Sequence, residues 1–216
     1  MDPNYAKETS REQEVKEENT DVKDINSRIN ISLKSAAVGA TIANPVYLKD
    51  CPHVITRSEW GALPPTRKAN LATPVTNVII HHSAGLSCIT KSSCTELVEN
   101  IQKYHMETNG WCDIGYSFLV GEDGNIYEGR GWNTVGAHTR GYNTTGYGIC
   151  FLGTFTDRTP NSAAQNAATS LIRHATIRGY LHPDYVVKGH RDLGDTVCPG
   201  TELYNMIKHW PRYQGS

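Results

Sequence analysis

Residues 73–82, TPVTNVIIHH, contain the run that decides the fold: an apolar, β-branched stretch that follows a proline and ends in two histidines. A run of this length and composition, bounded by a turn signal, is typical of a buried strand. The two histidines, His81 and His82, stand where this strand would end. We therefore expect chemistry at this end of the strand.

Strand and helix patterns alternate along the rest of the chain. Residues 116–131 hold two strand-like runs joined by an Asp-Gly turn signal, which predicts a hairpin. Residues 146–155, GYGICFLGTF, and 185–190, YVVKGH, read as further strands. Apolar residues at helical spacing predict a helix over 164–175 and a closing helix near 203–207. The sequence predicts an α/β fold with a mixed central sheet flanked by helices.

A further helix is predicted after the first strand. Ser93 followed by Glu96 resembles a capping box, and Asn109-Gly110 provides a stop signal. Four residues at helical spacing predict the face that packs inward: Leu97, Ile101, Tyr104 and His105.

The 216-residue chain has 38% apolar residues and a net charge of -1. This composition is that of an ordinary globular protein, and the near-neutral charge argues against a nucleic-acid partner. Because no run of eighteen apolar residues exists, we predict no membrane span. Residues 1–50 begin with a highly charged stretch, so we expect a disordered or weakly structured N-terminal extension, followed by one domain over 51–216.

Three side chains suggest a metal site: His81, His190 in KGHRD, and Cys198 in CPG. Imidazole and thiolate are preferred zinc ligands, and three protein ligands leave a fourth position open, as in catalytic sites. The spacing alone is weak evidence, since nine histidines and six cysteines produce such sets by chance. A disulfide at Cys198 is the competing interpretation.

Several long motifs resemble the peptidoglycan recognition proteins, which are similar to phage-type zinc N-acetylmuramoyl-L-alanine amidases. In chain order they are ITRSEWGA at 55–62, NVIIHHSAG at 77–85, residues 104–133, GAHTRGYN at 136–143 and GHRDLGDTVCPG at 189–200. The resemblance covers roughly residues 51–212. It implies hydrolysis of the amide between the muramic acid lactyl group and L-alanine of the stem peptide, in innate immunity.

The resemblance also implies roles for individual residues. His81, His190 and Cys198 would bind Zn²⁺, with His82 as a neighbour outside the ligand set. Tyr116 and Thr196 match the family's catalytic positions, and their hydroxyls would serve as donors to the oxyanion. Family members that bind peptidoglycan without cutting it often have serine in place of the cysteine, so the intact set favours an enzyme.

By the same resemblance, the cleft that binds muramyl peptides would contain His105, Trp111, Arg130, His138 and Tyr142. Two of these have simpler interpretations, because Trp111 fits a core position and Arg130 fits an exposed ion pair. His138 lies in a Gly-rich loop, which favours a functional role. Asn133-Thr134 matches neither pair of residues that we associate with lysine or diaminopimelate stems, so the sequence predicts no preference.

The cysteines bear on the compartment. Cys88 and Cys94, in the small polar loop SCITKSSC, are placed to form a disulfide. Cys150 fits a reduced buried thiol, and the pairing of Cys51 and Cys112 stays open. The disulfide and the resemblance favour an extracellular protein. The charged N-terminus lacks a signal-peptide pattern, which leaves an intracellular form open.

Two alternatives to the amidase remain at this stage. One is a peptidoglycan-binding receptor without turnover, which leaves the complete set of catalytic residues without a purpose. The other is a structural zinc domain or a Cys-His hydrolase. Oligomeric state is not predicted.

Overall fold

The computed structural model describes residues 52–215, and these residues form a six-stranded sheet with helices on both faces. The strands, in chain order, are β1 (Val54–Ile55), β2 (Val75–His82), β3 (Phe118–Val120), β4 (Ile126–Glu128), β5 (Gly146–Phe151) and β6 (Leu181–Gly189). The helices are α1 (Lys91–Lys103), α2 (Ser162–Ile177) and α3 (Thr201–Ile207). A π-helical turn (Tyr104–Thr108) extends α1, and a 3-10 turn (His190–Asp192) follows β6.

The strand order is β1-β4-β3-β5-β2-β6. Only β3 and β4 pair antiparallel among the described strands, as expected for the predicted hairpin, whereas the other neighbours run parallel. The predicted mixed α/β fold is therefore confirmed. The strand β1 was not predicted, because two residues are too few to show a pattern.

Strand β2 lies between β5 and β6 and runs parallel to both. Its register pairs Ile80 with Gly189, so His81 and His190 follow directly at the same edge. Because parallel strands end on the same side of a sheet, this topology gathers the polar residues that follow the strands.

Two hydrophobic clusters cover the two faces of the sheet. On one face, α2 buries Ala168 and Leu171 against alternate residues of the strands. On the other face, α1 buries Cys94 and Val98 beside Leu119 of β3. The alternation of strand residues between the clusters follows from the two-residue repeat of a strand.

Helix α1 corrects two sequence-based predictions. Its N-cap is Thr90, whose hydroxyl accepts from the Ser93 amide, so Ser93 occupies the third helical position rather than the cap. The fully buried positions of α1 are Cys94, Val98 and Gln102, one residue along from the predicted face. Of the four predicted residues, His105 is buried, Leu97 and Ile101 are partly buried against the core, and Tyr104 is exposed.

The predicted disulfide is confirmed: Cys88 and Cys94 are bonded and tie the preceding loop to the first turn of α1. Cys112, Cys150 and Cys198 are free thiols in the described part of the chain. Cys150 is fully buried, as expected. Cys51 and the predicted extension over residues 1–50 lie outside the described residues.

No helix within residues 52–215 is long and apolar enough to cross a membrane.

Candidate metal centre and cleft

The ring nitrogens of His81 and His190 and the sulfur of Cys198 lie within 4.8 Å of one another. His81 is the seventh residue of β2, His190 opens the turn after β6, and Cys198 lies in the loop before α3. The two imidazole rings are 4.5 Å apart between centroids, and Nδ1 of His81 is 3.7 Å from Sγ of Cys198. Within residues 52–215 this is the one group of three such side chains able to hold a metal ion.

Backbone hydrogen bonds hold Cys198, and the one that reaches its sulfur favours the thiolate. The amide of His82 donates to the sulfur at 3.5 Å, and the Cys198 amide donates to Oγ1 of Thr196 at 3.2 Å. Burial has the opposite and larger effect, because it raises the pKa of the Cys198 thiol to about 11. The ring of His82 accepts from the Phe155 amide at Nδ1 and does not join the cluster.

A carboxylate anchors the turn that carries His190. Asp192 accepts from the Gly189 amide at 2.7 Å and from the phenol of Tyr204 at 2.6 Å. The phenol of Tyr213 adds a third hydrogen bond at 3.3 Å. These bonds join the turn to α3 and to the C-terminal segment, so they fix the direction from which His190 enters the cluster.

Tyr116 and Thr196 line the same pocket as the three clustered side chains. The Tyr116 ring lies 5.3 Å from the His81 ring. Burial, reinforced by the neighbouring thiols of Cys150 and Cys198, raises the pKa of Tyr116 well above its usual value. Its phenol therefore keeps its proton at neutral pH and can donate a hydrogen bond.

Two adjoining pockets form a cleft. The pocket over the cluster has a volume of about 320 Å³, and a second of about 350 Å³ lies against α1 and the π-helical turn. Ser83 and Tyr116 line both. Among the described residues, no Asp, Glu, Lys or Arg lines either pocket. An uncharged cleft of this kind suits a neutral, hydrogen-bonding ligand better than a polyanion.

A larger cavity, of about 640 Å³, lies elsewhere, against α2 and the hairpin turn. Its lining includes His53, Ser170 and Arg173 but none of the clustered side chains. Volume alone does not mark a functional site, so the smaller cleft with convergent chemical groups is the better candidate.

Comparison with known proteins establishes the family. Residues 71–201 match the family described as N-acetylmuramoyl-L-alanine amidase. The chain is 47% identical over 167 residues to peptidoglycan recognition protein 1 of Bos indicus. The aligned region covers 77% of this chain and 88% of that protein. The chain belongs to the peptidoglycan recognition protein family. The resemblance drawn from the sequence motifs is thus confirmed.

Two further members of the family support this assignment. Peptidoglycan-recognition protein SC2 of Drosophila melanogaster is 46% identical over 161 residues, or 74% of this chain and 88% of that protein. A crystal structure of human PGRP-IBETAC in complex with glycosamyl muramyl pentapeptide superposes with a TM-score of 0.74 at 46% identity. The superposed region covers 76% of this chain and 99% of the human chain.

The residues expected along the cleft of a peptidoglycan recognition protein divide into two groups. Trp111 and His138 line the pocket over the cluster, and His105 lines the second pocket. Trp111 is 38% exposed, so it does not have the core position considered as its alternative. Arg130 and Tyr142 do not line either pocket.

Arg130 bonds to backbone rather than lying in an exposed ion pair. Its guanidinium donates to the carbonyls of Ile114 and Val135, each at 2.7 Å. It therefore ties together the two loops that flank Trp111 and His138. Tyr142 is half-buried, and its amide donates to the Thr139 carbonyl at 3.0 Å.

His105 is held as a neutral acceptor. Its Nδ1 accepts from the Gly115 amide at 3.0 Å, and its ring packs between Trp111 and Tyr116. Burial, and next the charge of Arg130, lowers the pKa of His105 to about 4. Protonation would also place an N–H against the Gly115 donor, so the folded state disfavours the charged ring.

Acidification is expected to weaken the fold through His105. Between about pH 6.5 and pH 4 the unfolded chain binds this proton and the folded chain does not. The free energy of unfolding therefore falls by about 1.4 kcal/mol per pH unit from this residue as the pH decreases. Urea denaturation in EDTA at pH 7, 6 and 5 should show a shallower decline for His105→Gln. Equal declines in the two proteins would contradict this.

The ring of His138 lies between two glycines. A Cβ at Gly136 would come 2.5 Å from the ring, and one at Gly148 of β5 would overlap it. Burial lowers the pKa of His138 to about 3, so the ring is neutral. The glycines leave the space that this ring needs beside the cluster.

Gly148→Ala is expected to destabilise the protein by about 1–3 kcal/mol, the usual cost of overpacking a buried position. The matched control is Gly194→Ala, where an added Cβ meets nothing within 4 Å. That control should stay within about 0.5 kcal/mol of wild type in urea denaturation. Equal stability of the two variants would show that the His138 ring is not confined as described.

One residue of the site was not found from the sequence. Thr139 is 3% exposed, and its hydroxyl lies 3.3 Å from Nε2 of His81. The motif GAHTRGYN includes it, but its role depends on a contact between residues 58 positions apart. No local pattern could have identified that contact.

Proposed function

We propose that this protein is a zinc-dependent N-acetylmuramoyl-L-alanine amidase, which hydrolyses the amide between the muramic acid lactyl group and L-alanine of the stem peptide. The observation that carries the proposal is the convergence of His81, His190 and Cys198 at the base of a cleft that also contains Tyr116. A protein that only binds peptidoglycan has no need of this arrangement.

The three side chains fit zinc in chemistry, and one pair of them also fits in spacing. Zinc prefers imidazole nitrogen and thiolate sulfur, with bonds of about 2.0 and 2.3 Å. Tetrahedral geometry with those bonds separates nitrogen from sulfur by about 3.5 Å. The separation between His81 Nδ1 and Cys198 Sγ is 3.7 Å. Three protein ligands leave one position for chemistry, as in other catalytic zinc sites.

The residues around the centre have separate roles. Zinc, when bound, supplies Lewis acidity that polarises a carbonyl and activates water. Tyr116 donates its phenolic hydrogen to the oxygen of the scissile carbonyl as negative charge develops there. Thr196 accepts from the Cys198 amide and keeps its own hydroxyl hydrogen free for donation. The Tyr116 ring is held between the rings of His81 and His105, and Thr196 is held by the Cys198 amide, so both side chains are in place before reaction.

The two-part cleft supports a glycopeptide substrate. Its neutral lining of aromatic, hydroxyl and imidazole groups suits sugar hydroxyls and peptide amides. Exposed apolar side chains stand at its rim on both sides, at Leu86 and Tyr104 beside one pocket and at Val197 beside the other. The human relative crystallised with a glycosamyl muramyl pentapeptide supports the same ligand class here.

The disulfide supports an extracellular site of action. A bond between Cys88 and Cys94 forms and persists in oxidising compartments. Peptidoglycan outside the host cell would be the substrate encountered there.

Product analysis tests the proposal. Zinc-loaded full-length protein is incubated with muramyl pentapeptides that carry lysine or diaminopimelate at the third position, and the products are identified by mass spectrometry. Release of the free stem peptide from either substrate, prevented by chelation and restored by zinc, is the expected result. Binding without release by a zinc-loaded protein would contradict the amidase and indicate a recognition protein.

A further inference from the structure

The two ring nitrogens of His81 face different partners. Nδ1 lies 3.7 Å from Sγ of Cys198, on the side where the clustered ligand atoms meet. Nε2 lies 3.3 Å from Oγ1 of Thr139. The ring is 1% exposed and Thr139 is 3% exposed, so water does not compete for this contact.

The Thr139 hydroxyl also contacts a second histidine. Oγ1 of Thr139 lies 3.1 Å from Nδ1 of His138, and the rings of His81 and His138 are 5.3 Å apart. The other nitrogen of His138, Nε2, is buried and has no hydrogen-bond partner within residues 52–215. His138 lines the pocket over the cluster. One hydroxyl thus joins a candidate metal ligand to a ring with an unsatisfied nitrogen.

The direction of these hydrogen bonds follows from metal binding at His81. A metal on Nδ1 takes the lone pair there, so the hydrogen of the neutral ring is on Nε2 and is donated to Thr139. A hydroxyl that accepts in this way has one hydrogen left to donate, and Nδ1 of His138 is within reach. A neutral His138 that accepts at Nδ1 carries its own hydrogen on Nε2.

We propose that Thr139 is a positioning residue that fixes the ring tautomers of His81 and His138 together. The proposal rests on the proposed function, because it assumes zinc at His81.

The loop itself does not depend on the Thr139 hydroxyl. The amides of His138 and Thr139 both donate to Oδ1 of Asn143, at 2.8 and 2.9 Å. Thr139→Val keeps the shape of the side chain and removes only the hydroxyl, so the loop should keep its conformation. Thr139→Ser keeps the hydroxyl and serves as the matched control.

Zinc affinity is the first readout, measured on the full chain by competition with a chromogenic chelator. Loss of a group that orients a metal ligand typically lowers affinity by about 10–100-fold, and we expect this for Thr139→Val. Thr139→Ser should bind as wild type does, and urea denaturation without metal should show all three proteins folded. If wild type binds zinc and Thr139→Val binds equally well, this inference is wrong while the amidase stands. If wild type binds no zinc, the proposed function itself fails.

The tautomers provide the second readout. Nitrogen-15 NMR of histidine-labelled, zinc-loaded protein should show His138 with its hydrogen on Nε2, and Thr139→Val should lose this preference. The Gly146 carbonyl is a competing acceptor for a hydrogen on the His138 ring. A His138 ring protonated at Nδ1 in the zinc-loaded wild type would overturn the proposal.

Discussion

Replacement of Cys198 by serine is expected to abolish release of stem peptide while muramyl peptide remains bound. A serine hydroxyl is a far poorer zinc ligand than a thiolate, so zinc affinity should fall by more than about 100-fold, beyond the loss typical of groups outside the ligand set. Cys198 is one of twelve residues that line the pocket over the cluster, and it does not line the second pocket. Zinc content by elemental analysis and product release by mass spectrometry measure the two effects.

Cys112→Ser is the matched control, because Cys112 is also a free thiol and does not belong to the cluster. It should retain both zinc and turnover. Full turnover by the Cys198→Ser protein would remove Cys198 from the mechanism and contradict the proposed centre.

Replacement of Tyr116 by phenylalanine is expected to lower kcat by about 10²–10³-fold, the usual effect of removing one oxyanion donor. The ring and its contacts with His81 and His105 stay in place, so substrate affinity and zinc content should be nearly unchanged. Single-turnover kinetics and ligand titration separate the two effects. Equal losses in affinity and turnover would indicate a binding role instead.

Tyr147→Phe provides the control for this variant. Its phenol donates to the Trp132 carbonyl at 2.9 Å in the core, away from the cleft. Removing it should cost about 1 kcal/mol of stability without changing kcat. A comparable fall in kcat would mean that general loss of stability, and not a missing donor, explains the Tyr116 result.

Sequence patterns predicted the parts of the fold that are locally encoded. The run ending at His82 forms β2, and the helical repeat through Ala164, Ala168 and Leu171 forms the buried face of α2. In each case the burial of neighbouring positions follows the geometry of the element itself. The short edge strand β1 exists only because it pairs with β4, which lies more than seventy residues later.

The fully buried face of α1 lies one position away from the predicted one, although His105 is buried as predicted. Leu97 and Ile101 form an apolar stripe, but the neighbouring stripe, which includes Val98 and the disulfide-bonded Cys94, is the one buried in the core. Gln102 is buried there because its amide exchanges hydrogen bonds with the Leu63 backbone, at 2.8 and 3.0 Å. A polar residue with such partners cannot be recognised as buried from its type. The displaced stripe lines the second pocket instead.

The candidate site also contains some residues that the sequence predicted and others that only the fold shows. Spacing alone could not select His81, His190 and Cys198 from the other histidines and cysteines, and the family motifs did. The structure brings their ligand atoms together. The Thr139 hydroxyl and the Asp192 anchor depend on contacts between distant segments, so they became visible only in the fold.

The most direct test of the proposed centre is a crystal structure of the zinc-soaked protein, with anomalous diffraction recorded on both sides of the zinc absorption edge. One anomalous peak is expected, bonded to His81 Nδ1, a ring nitrogen of His190 and Cys198 Sγ, with a fourth position not filled by protein. A peak enclosed by four protein ligands, or no peak at these residues at saturating zinc, would contradict a catalytic zinc centre.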